Sequence, residues 1–407
     1  MSHSEIVSLM IQLCVLLAFG RIMSEVARKV NLPSVVGEIF AGIILGPTIL
    51  GMLSPGIFEG LFPSTGQSAL ILDGFVHVAV VLLLFIAGLE VDLRIVIQQG
   101  KQAFYTSSFG LVIPFILGFI APFLIPQVFG IDDQRLLVFA VFMGASMSIT
   151  ALPVIARILM DIDMFRSKLG MLIITSAMMN DLIGWLIFSI VLSLIGQGEG
   201  GLSLWQTIGL TLGFTIFMLT IGKGIINRVL PWINRRLAWP GGLISLTMAF
   251  CFLGAAFTEK IGIHAIFGAF IVGVALGDSE HFSEKAKEIV HQFVNNIFSP
   301  LFFVSIGLHV NFIRSFDFGI VIVVLVLAFL GKIIGAGIGS RIGGFSKRES
   351  LAIGFGMNAR GAMEIILGLI AMRVGLIDEK IFVALVIMAL VTSISSGPFM
   401  KYFLRKG

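Results

Sequence analysis

Long apolar runs separated by short polar loops account for nearly the whole chain. They lie at about 6–24, 32–52, 71–90, 103–126, 136–160, 168–196, 205–228, 240–258, 262–278, 290–309, 318–341, 350–373 and 379–403. A helix crosses the hydrocarbon core of a bilayer with roughly 20 apolar residues. The pattern therefore predicts an all-α polytopic membrane protein of about 13 transmembrane helices. Two runs are broken at mid-depth by polar or helix-breaking residues. One break is Ser148-Ile149-Thr150-Ala151-Leu152-Pro153, in the fifth run, and the other is Asn358-Ala359-Arg360-Gly361, in the twelfth.

The runs also repeat. Gly37, Gly42 and Gly46 in 37–46 match Gly268, Gly273 and Gly277 in 268–277. Gly88, Leu89 and Val91 match Gly307, Leu308 and Val310, and the break in the fifth run matches that in the twelfth. The three matches keep one order, so helices 1–6 (residues 1–196) pair with helices 8–13 (residues 237–407), and helix 7 (residues 197–236) links them. Partners seven helices apart cross in opposite directions. The expected architecture is two inverted six-helix repeats with crossed broken helices, a plan common among secondary transporters.

Composition agrees with the pattern. The chain of 407 residues is 57% hydrophobic and 12% charged, with a net charge of +4, against about 25% charged in soluble domains. The basic residues do not call for a nucleic-acid partner, because they sit in short loops. Of the 27 Lys and Arg, 20 fall in one set of loops and 5 in the other, with Lys332 and Arg360 inside runs. This positive-inside bias places the N-terminus outside and the C-terminus in the cytoplasm, in the cytoplasmic membrane. Cys14 and Cys251 lie in separate apolar runs and read as packing residues. The first run has no basic leader or small-residue cleavage site and is read as a retained helix. Without a Walker A sequence, a potassium-filter sequence or metal-catalysis spacing, the chain is expected to be no enzyme and to carry no cofactor. Its work would be driven by an ion gradient.

The chemistry centres on Asp181, the only charge between Leu169 and Ile195. An intramembrane carboxylate is costly and marks an ion or proton path by default. The other reading is a structural acid held by a neighbouring helix. Asn180, Ser176 and Thr175 surround it with polar groups. Pro153 would break the fifth helix and free backbone carbonyls, tolerated at that depth only beside protein or water. Those carbonyls, with the Ser148 and Thr150 hydroxyls, supply the oxygen ligands a hard cation wants; a plain proline kink is the alternative. In the twelfth run, Asn358 accompanies Arg360 and Glu364, which are four apart on one helix face and can pair. That pair either balances an ion site or is purely structural. Lys332 either acts as counter-charge to Asp181 or snorkels to the cytoplasmic face. Glu38, Glu90 and Asp278 sit near run ends and are expected at the interface, and His77 and His264 are expected to be satisfied core histidines.

Leu32-Pro33 to Pro47, Phe85 to Asp92, Ser148 to Arg157, Asn180-Asp181, His264 to Asp278, Phe302 to Asn311, Gly331-Lys332 and Asn358 to Glu364 together resemble the monovalent cation:proton antiporter superfamily. The resemblance is greatest to cation:proton antiporter family 2, the Na⁺/H⁺ and K⁺/H⁺ exchangers. It implies a mobile core from helices 3–6 and 10–13, a dimerisation domain from helices 1, 2, 7, 8 and 9, and a homodimer in the lipid bilayer. It also implies exchange of Na⁺ or K⁺ for H⁺ by alternating access, in the service of pH homeostasis. Asp181 would carry the cation and the proton, with Thr150 beside it on the cation, Asn180 as partner and Ser148 as a weaker ligand. Lys332 matches the family's embedded lysine, while Arg360, Glu364, Asn358 and Pro153 would support the site.

Two departures stand out. Electrogenic members often carry two adjacent aspartates, where this chain has Asn180-Asp181. One titrating carboxylate implies one proton per cation and electroneutral exchange. Electroneutral relatives tend to carry a glutamate where Ser176 stands, so Arg360 is expected to use Glu364 instead. The chain stops soon after the last run, so a nucleotide-binding regulatory domain found in some relatives is expected to be missing or cut away. A Na⁺-coupled organic-anion symporter or a cation channel on the same scaffold are the alternative functions.

Overall fold

The computed structural model describes all residues except 1, 31, 64, 92–99, 132–134, 163, 166, 196–203, 406 and 407. Asp92, Arg94, Arg166, Lys406 and the first part of the linker segment, 197–203, therefore lie outside the described residues, as do the side chains of Pro153 and Arg157. The described residues form helices and no strands. Nine helices among them, from His3–Lys29 to Glu379–Leu404, are long and apolar enough to cross a membrane. The first begins in a capping box made by Ser2 and Glu5 and ends on Arg28 and Lys29. That placement of charge suits the helix dipole at both ends.

The chain divides into two compact units. The first contains Met1–Glu90, Phe217–Glu259 and Gly268–Phe316. Its helices meet backbone to backbone. A Cβ on Gly42 would lie 2.2 Å from the Val304 carbonyl oxygen and 3.0 Å from Gly307 Cα. A Cβ on Gly273 would lie 2.3 Å from the Phe85 carbonyl oxygen and 3.1 Å from Gly88 Cα. Only glycine permits such an approach, which replaces side-chain interdigitation by direct main-chain packing. The two contacts exchange under the sequence match, in which Gly42 corresponds to Gly273 and Gly307 to Gly88. Gln67–Leu89 and Ser299–His309, which are helices 3 and 10 of the sequence reading, fall in the first unit.

Three acids of this unit, expected at the interface, have partners within it. Glu38 and Asp278 are buried. Glu38 accepts from Ser299 Oγ at 2.8 Å, and Asp278 pairs with Lys223. Glu90 faces His291 at 3.6 Å.

The second unit contains Val91–Ile216, Lys260–Phe267 and Asp317–Gly407. The fifth run forms two half-helices, Leu136–Ser148 and Leu152–Asp161, joined by extended backbone at Ile149 and Ala151. Pro153 falls in the first turn of the second half-helix, where its missing N–H costs nothing. The break thus precedes the proline instead of centring on it. The twelfth run also forms two half-helices, Lys347–Met357 and Ala362–Arg373. Helices Gly100–Leu124 and Phe318–Ile342 pack closely, because Gly331, Gly335 and Gly339 let Phe318–Ile342 approach Pro114, Phe109 and Tyr105.

Candidate functional site

The two interruptions meet and hydrogen-bond to each other. The Ala151 N–H donates to the Ala359 carbonyl at 2.9 Å. The Thr150 hydroxyl donates to the Met357 carbonyl at 3.0 Å. A Cβ on Gly361 would lie 2.8 Å from Val154 Cγ2 and 3.1 Å from Ala151 Cβ. Glycine is what lets the second chain pass the first there.

A helix that stops inside a membrane leaves its last carbonyls without intrahelical partners. At the end of Leu136–Ser148 two cations take them. Arg360 donates to the Ser146 carbonyl at 2.5 Å and to the Met147 carbonyl at 2.7 Å. Lys332 Nζ donates to the Ser148 carbonyl. Positive charge at a helix C-terminus also complements the dipole. The carbonyls that the sequence offers to an incoming cation thus already accept from resident ones.

Lys332 and Arg360 are both fully buried. Lys332 therefore does not snorkel. Besides Ser148, its ammonium donates to the Gly110 carbonyl at 2.9 Å and to Thr150 Oγ at 2.8 Å. With its amide oxygen turned toward Lys332, Asn180 accepts from the ammonium at 3.2 Å and donates to Ser107 O at 3.0 Å and Ser107 Oγ at 2.7 Å. The opposite orientation would set donor against donor. Lys332 is thus surrounded by neutral oxygens, and the charges whose fields reach it are those of Arg360, Glu364 and Asp181.

Arg360 also pairs with Glu364 at 2.6 Å. Glu364 accepts from the Gly361 N–H at 3.2 Å, placing negative charge at the start of Ala362–Arg373. Ser393 binds the Arg360 backbone, accepting from its N–H at 3.3 Å and donating to its carbonyl. Asp181 is 1% exposed, on the same helix as Asn180. Asp181, Glu364, Lys332 and Arg360, two acids and two bases, are all buried.

The remaining sequence candidates fall as follows. Thr150 links both interruptions and Lys332 through one hydroxyl. Ser148 turns its hydroxyl back to the Gly144 and Leu111 carbonyls, at 2.7 and 3.0 Å, and offers its carbonyl to Lys332. Asn358 is fully buried, and neither atom of its amide finds a hydrogen-bond partner among the described residues. Ser176 donates to the Ala103 carbonyl at 3.4 Å. The sequence reading passed over Ser107, Gly110 and Ser393, since carbonyls and lone serines carry no spacing signal. The small polar cluster Thr106-Ser107-Ser108 in an otherwise apolar run was the one available hint to Ser107.

Comparison with known proteins matches residues 14–406 to the family described as "Sodium/hydrogen exchanger, transmembrane". The Na(+)/H(+) antiporter NhaS4 of Synechocystis sp. is 31% identical over 402 residues, covering 98% of this chain and 97% of that protein. Cation/H(+) antiporter 17 of Arabidopsis thaliana is 33% identical over 98% of this chain, which spans only 48% of that protein's length. K(+)/H(+) antiporter 1 of Saccharomyces cerevisiae is 28% identical over 98% of this chain and 46% of its own length. In fold, the chain is similar to the sodium proton antiporter MjNhaP1 from Methanocaldococcus jannaschii, with a TM-score of 0.70, 17% identity and coverage of 98% and 96%. A match over nearly the whole chain, set on a helical membrane fold, makes this multi-pass protein a member of the sodium/hydrogen exchanger family, a family of transporters and not of enzymes.

Proposed function

We propose that the protein exchanges a monovalent cation, Na⁺ or K⁺, for H⁺ across the cytoplasmic membrane by alternating access, with Asp181 as the shared carrier. The observation that carries this reading is a buried carboxylate set beside Asn180 and within the field of Lys332, where two interrupted helices cross. A buried ionisable group in a membrane domain is kept for ion or proton movement. Asn180 and Thr150 are its site partners in this reading, with Ser148 as a weaker contributor and Asn358 as support. Lys332 and Arg360 with Glu364 hold the interruptions in register.

The charge count supports electroneutral exchange. The Asn180-Asp181 pair carries one aspartate, which suits one proton per cation. The matched glycine crossings favour an inverted repeat, and a core built around the crossing of the broken helices would alternate its access. Relatives named for Na⁺ and for K⁺ both align along this chain, so either ion suits the reading. A homodimer with its N-terminus outside and C-terminus in the cytoplasm completes it.

Proteoliposomes with an imposed pH gradient test it. Adding Na⁺ or K⁺ should collapse the gradient with the parent protein, at a rate independent of clamped voltage. Asp181→Asn should reduce that flux by at least about a hundredfold, as expected when the one carrying group is removed. Downhill cation flux without proton coupling would replace the exchanger by a channel. Unchanged exchange in Asp181→Asn would make that residue structural.

A further inference from the structure

Asn358 ends the half-helix Lys347–Met357, inside the second unit. Asparagine at a helix end has three ordinary explanations, and none applies here. Its backbone lies at φ −84° and ψ −1°, so no left-handed turn calls for asparagine. Its side chain caps nothing, because neither amide atom finds a hydrogen-bond partner among the described residues. Bulk water does not satisfy it either, since the residue is fully buried. Other buried side chains with an unpaired atom, such as Gln12 and Asp278, bond through their second atom.

An amide buried without partners costs stability. Such a group is kept for a bound polar guest or for function. The guest must meet both atoms, with an electron-poor centre at Oδ1 and a lone pair at Nδ2. A monovalent cation that keeps one water supplies the two together. The place suits that cargo. The residues flanking Asn358 carry the contacts of the crossing: the Met357 carbonyl accepts from Thr150 and the Ala359 carbonyl from Ala151. Thr150 in turn accepts from Lys332, whose ammonium reaches Asn180, the neighbour of Asp181. Thr150 Oγ thus already serves the Met357 carbonyl and Lys332, whereas the Asn358 oxygen serves no group of the protein.

We propose that the Asn358 amide oxygen is a ligand for the transported cation on its way through the crossing, with the amide N–H groups on the cation's water. The role goes beyond the support assigned to Asn358 above and rests on the exchange reading. The ion-free protein carries the cost of an unpaired amide, and the arriving cation removes it.

Asn358→Leu tests this, because leucine is of similar size and has no polar side-chain atom. The purified protein is melted across Na⁺ and K⁺ titrations, with choline chloride holding ionic strength, and cation-driven proton flux is measured in proteoliposomes. Without Na⁺ or K⁺, Asn358→Leu should melt about 2 °C above the parent, because an unpaired polar group is gone. Its half-stabilising cation concentration and its KM should rise together by about fivefold, the scale of one neutral oxygen contact. Asn358→Ala should shift the cation response in the same direction, and it decides the matter if the leucine variant does not fold. A cation response equal to the parent's would overturn the proposal: with a raised melting temperature the amide holds water alone, and with a lowered one it is structural. A parent that the cation stabilises but that exchanges nothing would sink the exchange reading, while the shift in Asn358→Leu would still decide whether Asn358 is a ligand. A parent neither stabilised by nor active with either cation would sink both.

Discussion

Helices cross at close range in both units, and the two solutions differ. In the first unit the crossings are glycine on main chain, Gly42 against Gly307 and Gly273 against Gly88. The nearest atoms to each are main chain. In the second unit the crossing of the interrupted helices is held by charge. Arg360 and Lys332 take the carbonyls at the end of Leu136–Ser148, and Glu364 takes the Gly361 N–H at the start of the other half-helix. Main-chain packing is indifferent to ions, whereas a balanced set of buried charges responds to any ion that joins it. The same close crossing is thus built twice with different glue, glycine on main chain in one unit and buried charge in the other.

Removing the charged glue should have the largest effect. Arg360→Leu leaves Glu364 as a buried carboxylate without its guanidinium and strands two carbonyls. The expected loss is about 3–5 kcal/mol, the cost of breaking a buried pair from one side. Thermal unfolding in detergent reads it, and Arg360→Leu with Glu364→Leu should be more stable than Arg360→Leu alone. A double variant no better than the single would show that the pair is not what holds the crossing.

Next comes the neutral glue. In Gly307→Ala the new Cβ would sit 2.1 Å from the Gly42 carbonyl carbon, against main chain that cannot swing aside. Overpacking of this kind costs about 1–3 kcal/mol, or more where backbone must shift. The loss should be the same with or without transported cation. A cation-dependent loss would contradict the division between the two units.

The smallest effect is expected at Gly361→Ala. Its Cβ meets first the end of the Val154 side chain, at 2.8 Å, and a methyl can move. About 1 kcal/mol is expected, at the low end of overpacking costs, with exchange slowed because the interruptions must spread. Equal losses at Gly361 and Gly307 would mean that the two crossings are equally stiff.

Much of the fold was legible in advance. Run length and hydropathy located the helices, since a bilayer imposes both. The spacing of Arg360 and Glu364 foretold their pairing, which is a local helical fact. Two other points were beyond local pattern. Pro153 signalled a break but not its place, which is upstream at Ile149–Ala151, where Met357 and Ala359 offer carbonyls. The fate of Lys332 was open between counter-charge and snorkelling, and packing against Gly100–Leu124 decided it by bringing Gly110 and Ser107 to the site.

The sequence by itself determined the class, the helices, the interruptions, the intramembrane Asp181 and the glycine matches, because each follows from local periodicity or from the cost of polar groups in lipid. Only the tertiary structure decided what each charge faces. It set Lys332 on neutral oxygens, Arg360 on the carbonyls of a broken helix and Ser107 behind Asn180. Those partners are brought together from positions distant along the chain, and most are backbone atoms that no residue type announces.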